Sequence, residues 1–443
     1  MSELLNFPRD LGVGLVLRWA TAEDAEALAE FNFRQHNDDS MGQPEIWLKD
    51  WTRDLLDGSH PTTGPQDVTV VVDENAGGKI VSAVFLISQT WSYDGIAFGC
   101  GMPELIATDD KYRRRGLIRL QMDVIHALSE QKGELVQVIS GIPWYYRQFG
   151  YDLALNLGGG LQLPLASIKP LPETETEQYR LRPAILADLP VLKELYARQS
   201  EASLVNCVRD DVVWQYDIEL ALKQAAVCRH LELIETAEGE IIGYVHLSGF
   251  PVPGQEIPEL VIRPGYSLLD VCRFVSRTIK ERIEKVELAN KPDNLYFSLG
   301  ESHPAYEALG KETGKWREPY AWYVRVPDLP RFLWHIQPAL ERRLAASVMA
   351  GYSGRLKLNF YTSQLKIELE KGKITAVEPY KPNDFFDFDV FFPGLTFLQV
   401  LFGRRDLKEL RHIFTDCYPR NDESALLLKI LFPKRNSHVI ALA

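Results

Sequence analysis

The stretch PELIATDDKYRRRGLIRLQMDVIHALSEQKG, residues 103–133, decides how the rest of the chain is read. Leu105 to Thr108 read as a strand, and three arginines then precede a glycine. Leu117, Leu120, Val124, Ile125 and Leu128 fall on one face of a helix, and Gly133 is placed to stop it. The arginine turn therefore sits at a helix N-terminus, where the first amides lack intrahelical partners and the macrodipole favours an anion. Arginine forks add charge-assisted, often bidentate bonds to phosphate oxygens, and Gly116 lets a bulky phosphate approach the backbone. A diphosphate fits this chemistry better than a carboxylate does. A lone basic turn is more often a solvated surface feature, so the surrounding sequence decides.

The chain has 443 residues, which predicts two to four domains. Its 46% apolar and 25% charged content is that of a globular protein, and no apolar run reaches membrane-spanning length. A formal charge of −12 argues against a general affinity for nucleic acid or anionic membranes and suits a small cationic partner. Cysteines 100, 207, 228, 272 and 417 are odd in number and scattered, with neither a disulfide framework nor a metal-ligand spacing. The N-terminus has no signal-peptide pattern, so the expectation is a cytoplasmic protein without a metal.

The chain repeats itself. LRWATAEDAEALAEFNFRQ (17–35) is answered by LRPAILADLPVLKELYARQ (181–199). Arg18, Asp24, Leu28 and Gln35 recur as Arg182, Asp188, Leu192 and Gln199. Downstream, MPELIATDDKY (102–112) is answered by IPELVIRPGY (257–266), and YYRQFGY (145–151) more faintly by AYEALGK (305–311). Two copies of one α/β domain are expected, joined by the polar linker PLPETETEQ (170–178). The second copy keeps one arginine after its strand, followed by a proline, and is expected to have lost the turn.

After residue 326 the pattern changes. RFLWHIQPALERRLAASVMAG predicts a helix, with Pro338 in a first turn or at a kink. GRLKLNFYTSQLKIELEKGKITAVEP alternates like an antiparallel meander. GLTFLQVLFG predicts a buried helix and ALLLKILFP a final strand, giving a third, α+β domain.

With a strand before the turn, a helix after it and a second strand (134–140) beyond, residues 106–151 resemble the coenzyme A site of the GNAT superfamily of N-acyltransferases. Arg113 and Gly116 match its first motif, and Tyr146, Gly150 and Tyr151 its second; Ile118 departs from the usual small residue. The domain order is similar to the enhanced-intracellular-survival (Eis) type of acetyltransferase. The resemblance implies an α+β, α/β multidomain protein: tandem GNAT folds with mixed central sheets flanked by helices, then a sterol carrier protein-like domain. The expected domains are 1–169 (catalytic), 178–326 (degenerate GNAT-like) and 327–443 (sterol carrier-like).

The implied activity is direct transfer of an acetyl group from acetyl-CoA to a primary amine of a small-molecule acceptor. Ile106, Ala107 and Thr108 would hold the pantetheine arm. Arg113, Arg114, Arg115, Gly116, Leu117, Ile118 and Arg119 would hold the phosphates. Tyr146 would be the general acid, since a tyrosine with a pKa near ~10 stays protonated at neutral pH; the alternative is an aromatic packed beside Trp144 and Phe149. The resemblance makes the C-terminal carboxylate, here on Ala443, the base. The tail SHVIALA is apolar, as a buried terminus would be, although a strand ending at the surface reads the same way. His36, Asp38 and Asp39 are acceptor-binding candidates, and an exposed acidic loop is the plainer reading of the two aspartates. A homo-oligomer such as a hexamer is implied. The competing function is a non-catalytic scaffold that binds coenzyme A, an acyl chain or a lipid.

Overall fold

The computed structural model describes residues 3–37, 45–220, 229–248, 255–287, 291–310, 314–384 and 386–442. Its strands, numbered in chain order, form three sheets. The first contains β1 (Arg9–Gly12), β2 (Leu15–Trp19), β3 (Val68–Asp73), β4 (Lys79–Tyr93), β5 (Ile96–Thr108), β6 (Val136–Ile139) and β7 (Asp152–Leu157). Two strands from far along the chain join it, β10 (Val205–Cys207) and β16 (Tyr320–Arg325). The second sheet contains β8 (Gly160–Pro164), β9 (Tyr179–Pro183), β11 (His230–Thr236), β12 (Ile241–Ser248), β13 (Glu256–Ile262), β14 (Asn294–Phe297) and β15 (Lys315–Arg317). The third contains β17 (Gly354–Asn359), β18 (Gln364–Glu370), β19 (Lys373–Pro379) and β20 (Val390–Phe391).

Helices α1 (Ala25–His36) and α2 (Trp47–Asp54) lie between β2 and β3, and α3 (Leu117–Gln131) between β5 and β6. Among the second sheet's strands run α4 (Leu189–Ala202), α5 (Asp211–Gln215), α6 (Leu268–Lys285) and α7 (Ala305–Leu309). The C-terminal part adds α8 (Leu329–His335), α9 (Gln337–Ala345), α10 (Phe397–Leu401), α11 (Leu407–Ile413) and α12 (Asp422–Leu431).

The repeat has a physical basis. Arg18 donates both terminal guanidinium nitrogens to Asp24 at 2.7 and 2.8 Å, and Arg182 does the same to Asp188 at the same two distances. A bidentate fork of this kind fixes each strand to the start of its helix. In both sheets a central strand then pairs antiparallel with its predecessor and parallel with its successor: β5 with β4 and β6, β13 with β12 and β14. The remaining pairs are antiparallel except β17 with β20, so the sheets are mixed.

The sheets do not follow the linear segments read from the sequence. β8, inside residues 1–169, pairs with β14 and β15 in the second sheet. β16, inside residues 178–326, fills the gap between β6 and β7 in the first. Strand partners are chosen by edge geometry across long sequence separations, and a five-residue apolar run carries no mark of its partner.

In the C-terminal part, ALLLKILFP is helical and not the final strand expected. The Asn421 side chain accepts the Ser424 amide as an N-cap, and Ser424, Leu427, Leu428 and Leu431 are buried at helical spacing. Pro338 opens the first turn of α9, where no amide is needed. Phe392, Phe397, Leu401 and Phe402 are packed into a core continuous with Tyr93 and Phe98 of the first sheet. Tyr93 donates its hydroxyl to Leu401 O at 2.8 Å, and Phe332 stacks on Phe402.

The C-terminal tail is packed inside. Val439 is 4% exposed and Leu442 1%. Arg229 donates to Ala441 O at 2.7 Å, and the Leu442 amide donates to Gln89 Oε1 at 3.1 Å. Ala443 lies outside the described residues.

Candidate active site

β5 and β6 pair only at Cys100–Val136 and Gly101–Gln137. Beyond these pairs β5 continues along β4 to Thr108, while β6 ends at Ile139. Between Glu104 and Ala107 the register with Phe85 and Ala83 slips by one residue, and Leu105 adopts φ +48. Such a bulge bends the strand and sharpens its twist. The seam opens into a cavity of about 800 Å³. Ile106–Thr108 and Ile139–Gly141 line it, together with the turn Arg113–Gly116 and the first residues of α3. α1 and α2 contribute His36, Trp47 and Trp51.

The turn is shaped as its sequence requires. Arg114 (φ +64) and Gly116 (φ +76) are left-handed, which winds the chain tightly into α3. The Leu120 amide bonds to Gly116 O at 3.1 Å, so the amides of Leu117, Ile118 and Arg119 precede the helix's own ladder. Arg113, Arg114, Arg115 and Arg119 are all exposed. Arg113 pairs with Asp110 at 2.7 Å and Arg119 donates to Gln148 at 2.8 Å, surface contacts that an anion can displace at little cost. Four exposed guanidinium groups and a helix N-terminus thus line one cavity, a combination whose chemistry suits a polyanion.

Tyr146 is 5% exposed, and its ring meets Tyr145 and Tyr323 edge-on at 5.2 and 5.6 Å. Burial, reinforced by the negative charge of Glu104, pushes its hydroxyl well above the ordinary tyrosine range. It therefore remains a proton donor. Glu104 lines the same cavity, and burial pushes its carboxyl up to about 8 against the opposing Leu105 amide. Burial lowers the His36 imidazole, which is neutral at physiological pH. The cavity thus holds a protonated phenol and a carboxyl poised near neutrality, groups able to give and take a proton at one place.

The cavity brings together Ile106, Ala107, Thr108, all seven residues from Arg113 to Arg119, Tyr146 and His36. Asp38, Asp39 and Ala443 lie outside the described residues. Glu104, Glu45, Trp47 and Trp51 also line the cavity and were not among the sequence candidates. Glu104 had a legible signal, a single carboxylate inside an apolar strand; the two indoles, stacked at 6.1 Å, read like any amphipathic helix face. His126 bonds to the Tyr151 hydroxyl at 2.9 Å, a structural contact.

The second repeat has its matching groups engaged elsewhere. Arg263 donates to Glu194 at 2.7 Å and to Ile241 O at 2.9 Å. Tyr306, the echo of Tyr146, donates its hydroxyl to Gly300 O at 2.8 Å. Among the described residues, no group of three or more His, Cys, Asp or Glu side chains is arranged to hold a metal ion, and no helix is long and apolar enough to cross a membrane.

Residues 22–154 match the family model of an acetyltransferase (GNAT) domain. Comparison with curated proteins gives no match. In fold, the chain is similar to a conserved protein of Enterococcus faecalis V583 described as a "Probable N-Acyltransferase", with 13% identity, TM-score 0.65, and 96% and 97% of the two chains covered. It is likewise similar to a GCN5-related N-acetyltransferase from Anabaena variabilis, with 15% identity, TM-score 0.62, and 96% and 99% covered. Eis1 from Mycobacterium abscessus is similar at 13% identity, TM-score 0.57, with 97% and 100% covered. Residues 22–154 thus match the model of a GNAT acetyltransferase domain, and over nearly its whole length the chain shares the fold of these structures.

Proposed function

We propose that this protein is an acetyl-CoA-dependent N-acetyltransferase that transfers the acetyl group directly to a primary amine of a small cationic acceptor. The observation that carries the reading is that Tyr146 and Glu104 line the cavity rimmed by Arg113 to Arg119. Exposed guanidinium groups and free helix amides suit the phosphates of a coenzyme A thioester. The unpaired edge of β5 at Ile106–Thr108 suits its amide-bearing arm, which would add like a strand.

Glu104 takes a proton from the acceptor ammonium, and the freed amine nitrogen forms a bond to the thioester carbonyl carbon. The carbon–sulfur bond then breaks, and the Tyr146 hydroxyl proton goes to the departing sulfur. The nitrogen's second proton passes to solvent as the amide forms; amide and free thiol leave, and the Glu104 proton returns to Tyr146 through solvent. The Eis resemblance would give the base role to the carboxylate of Ala443, whereas Glu104 has the better support among the described residues. Trp47, Trp51 and Glu45 line the cavity with Glu104 and suit an amine that carries some apolar surface. The same resemblance supports the division into a catalytic, a degenerate and a sterol carrier-like unit, with the chain acting as a homo-oligomer.

The test is thiol release from acetyl-CoA with a panel of primary amines (spermidine, tryptamine, glucosamine), comparing wild type with Tyr146→Phe. The expected result is a kcat loss of about 100-fold with KM for acetyl-CoA unchanged, as removal of a general acid gives. A fully active Tyr146→Phe would remove the acid role, and a wild type that binds acetyl-CoA without transfer would leave the scaffold reading.

A further inference from the structure

We propose that Tyr323 is a positioning residue for Tyr146, supplied to the first repeat's site by the strand that ends the second. The inference rests on the acid role of Tyr146 proposed above.

β16 enters the first sheet between β6 and β7, with Tyr323 opposite Ile139 on one side and Leu153 on the other. A register break falls between Trp322 and Tyr323. The Tyr323 side chain is fully buried, in one cluster with Tyr146, Tyr151, Met122 and Ile125. Its hydroxyl accepts the Trp144 backbone N–H at 2.5 Å. Trp144 needs that bond. It is 73% exposed and holds φ +68, a left-handed conformation that a bulky residue adopts only when its surroundings impose it. The short helical turn carrying Tyr146 begins at the next residue.

Tyr323 therefore acts on Tyr146 in two ways. Its hydroxyl pins the backbone from which the Tyr146 turn springs, and its ring meets the Tyr146 ring at 5.6 Å. From another direction, a side-chain carbon on Gly141 would sit 3.5 Å from the Tyr146 ring, so that position is bounded too. A phenol that delivers a proton within a strict geometry gains from such a frame, since small displacements of a reacting group cost large factors in rate. Packing alone would be served equally well by phenylalanine; the bond to Trp144 would not.

The experiment is a double-mutant cycle on the full chain with Tyr323→Phe, Tyr146→Phe and both together, measured by thiol release from acetyl-CoA with the fastest amine of the panel. Tyr323→Phe keeps the ring and removes only the hydroxyl. Expected are a kcat loss of about ten-fold with KM for acetyl-CoA unchanged, and no further loss when Tyr323→Phe is added to Tyr146→Phe. A single variant with wild-type kcat overturns the inference and leaves the proposed reaction standing. Losses that multiply in the double variant also overturn it, because Tyr323 would then act by another route. A wild type that transfers acetyl to no amine overturns both.

Discussion

Glu104 and Glu259 occupy matching places on equivalent strands, β5 and β13, and their carboxyl groups shift in opposite directions. Burial pushes Glu104 up to about 8. Burial would also raise Glu259, but the Arg209 guanidinium at 2.8 Å, with His246 beside it, holds that carboxyl well below the usual range. The strand facing each residue helps to decide the outcome: Phe85 stands opposite Glu104 and His246 opposite Glu259. One copy leaves its carboxyl poised to exchange a proton, while the other closes it into a fully buried ion pair.

The first consequence is a pH profile. If Glu104 is the base, kcat/KM for acetyl transfer rises with pH through about 8 as its carboxyl ionises. Glu104→Gln loses that limb and about 100-fold in rate. A profile unchanged by the substitution assigns the base elsewhere, with Ala443 next to be tested by deletion.

The same shift affects stability. The folded pKa lies above the unfolded value of about 4.5, so folding takes up a proton between these pH values. The contribution of Glu104 to wild-type stability should therefore fall as pH rises from about 4.5 to about 8, and then level off. Glu104→Gln removes that loss. Its melting temperature should match wild type near pH 4 and exceed it at pH 8. Equal curves at both pH values would refute the shifted carboxyl.

Glu259→Gln should behave differently. It leaves the buried Arg209 charge without its partner, and breaking such a pair costs about 3–5 kcal/mol. Thermal unfolding should show a large drop in midpoint, with KM for acetyl-CoA unchanged in the protein that remains folded. A neutral substitution would mean that water enters the pair.

Residues 1–169 alone should not fold. Without β16, the edges of β6 and β7 that it joins are bare, and β8 has no sheet to enter. Circular dichroism and gel filtration of the fragment should show loss of structure or aggregation, as exposed strand edges predict. A monomeric, cooperatively melting fragment would contradict this.

What was legible in the sequence was what is local. The turn Arg113–Gly116, α3 up to its glycine stop, and the Arg18/Asp24 and Arg182/Asp188 echo are each written within a few residues, and the structure gives each a physical role. What was not legible depends on distant partners. Nothing in GLQLP marks it for the second sheet, and nothing in YAWYVR marks it for the first. The apolar run in α12 fits strand and helix alike until its Asn421 cap is recognised. Glu104 was visible as a residue but not as a poised acid, because its shift comes from desolvation by the folded surroundings.

The most direct test of the account is acetyl-CoA titration calorimetry on wild type and on Arg113→Ala with Arg114→Ala. Both arginines are exposed, so the double variant should melt like wild type. Wild type should bind with micromolar affinity and the variant at least about ten-fold more weakly, since each guanidinium contributes charge-assisted bonds to phosphate. Equal affinity in the two proteins, or no binding by wild type, would contradict the claim that this turn holds a coenzyme's phosphates.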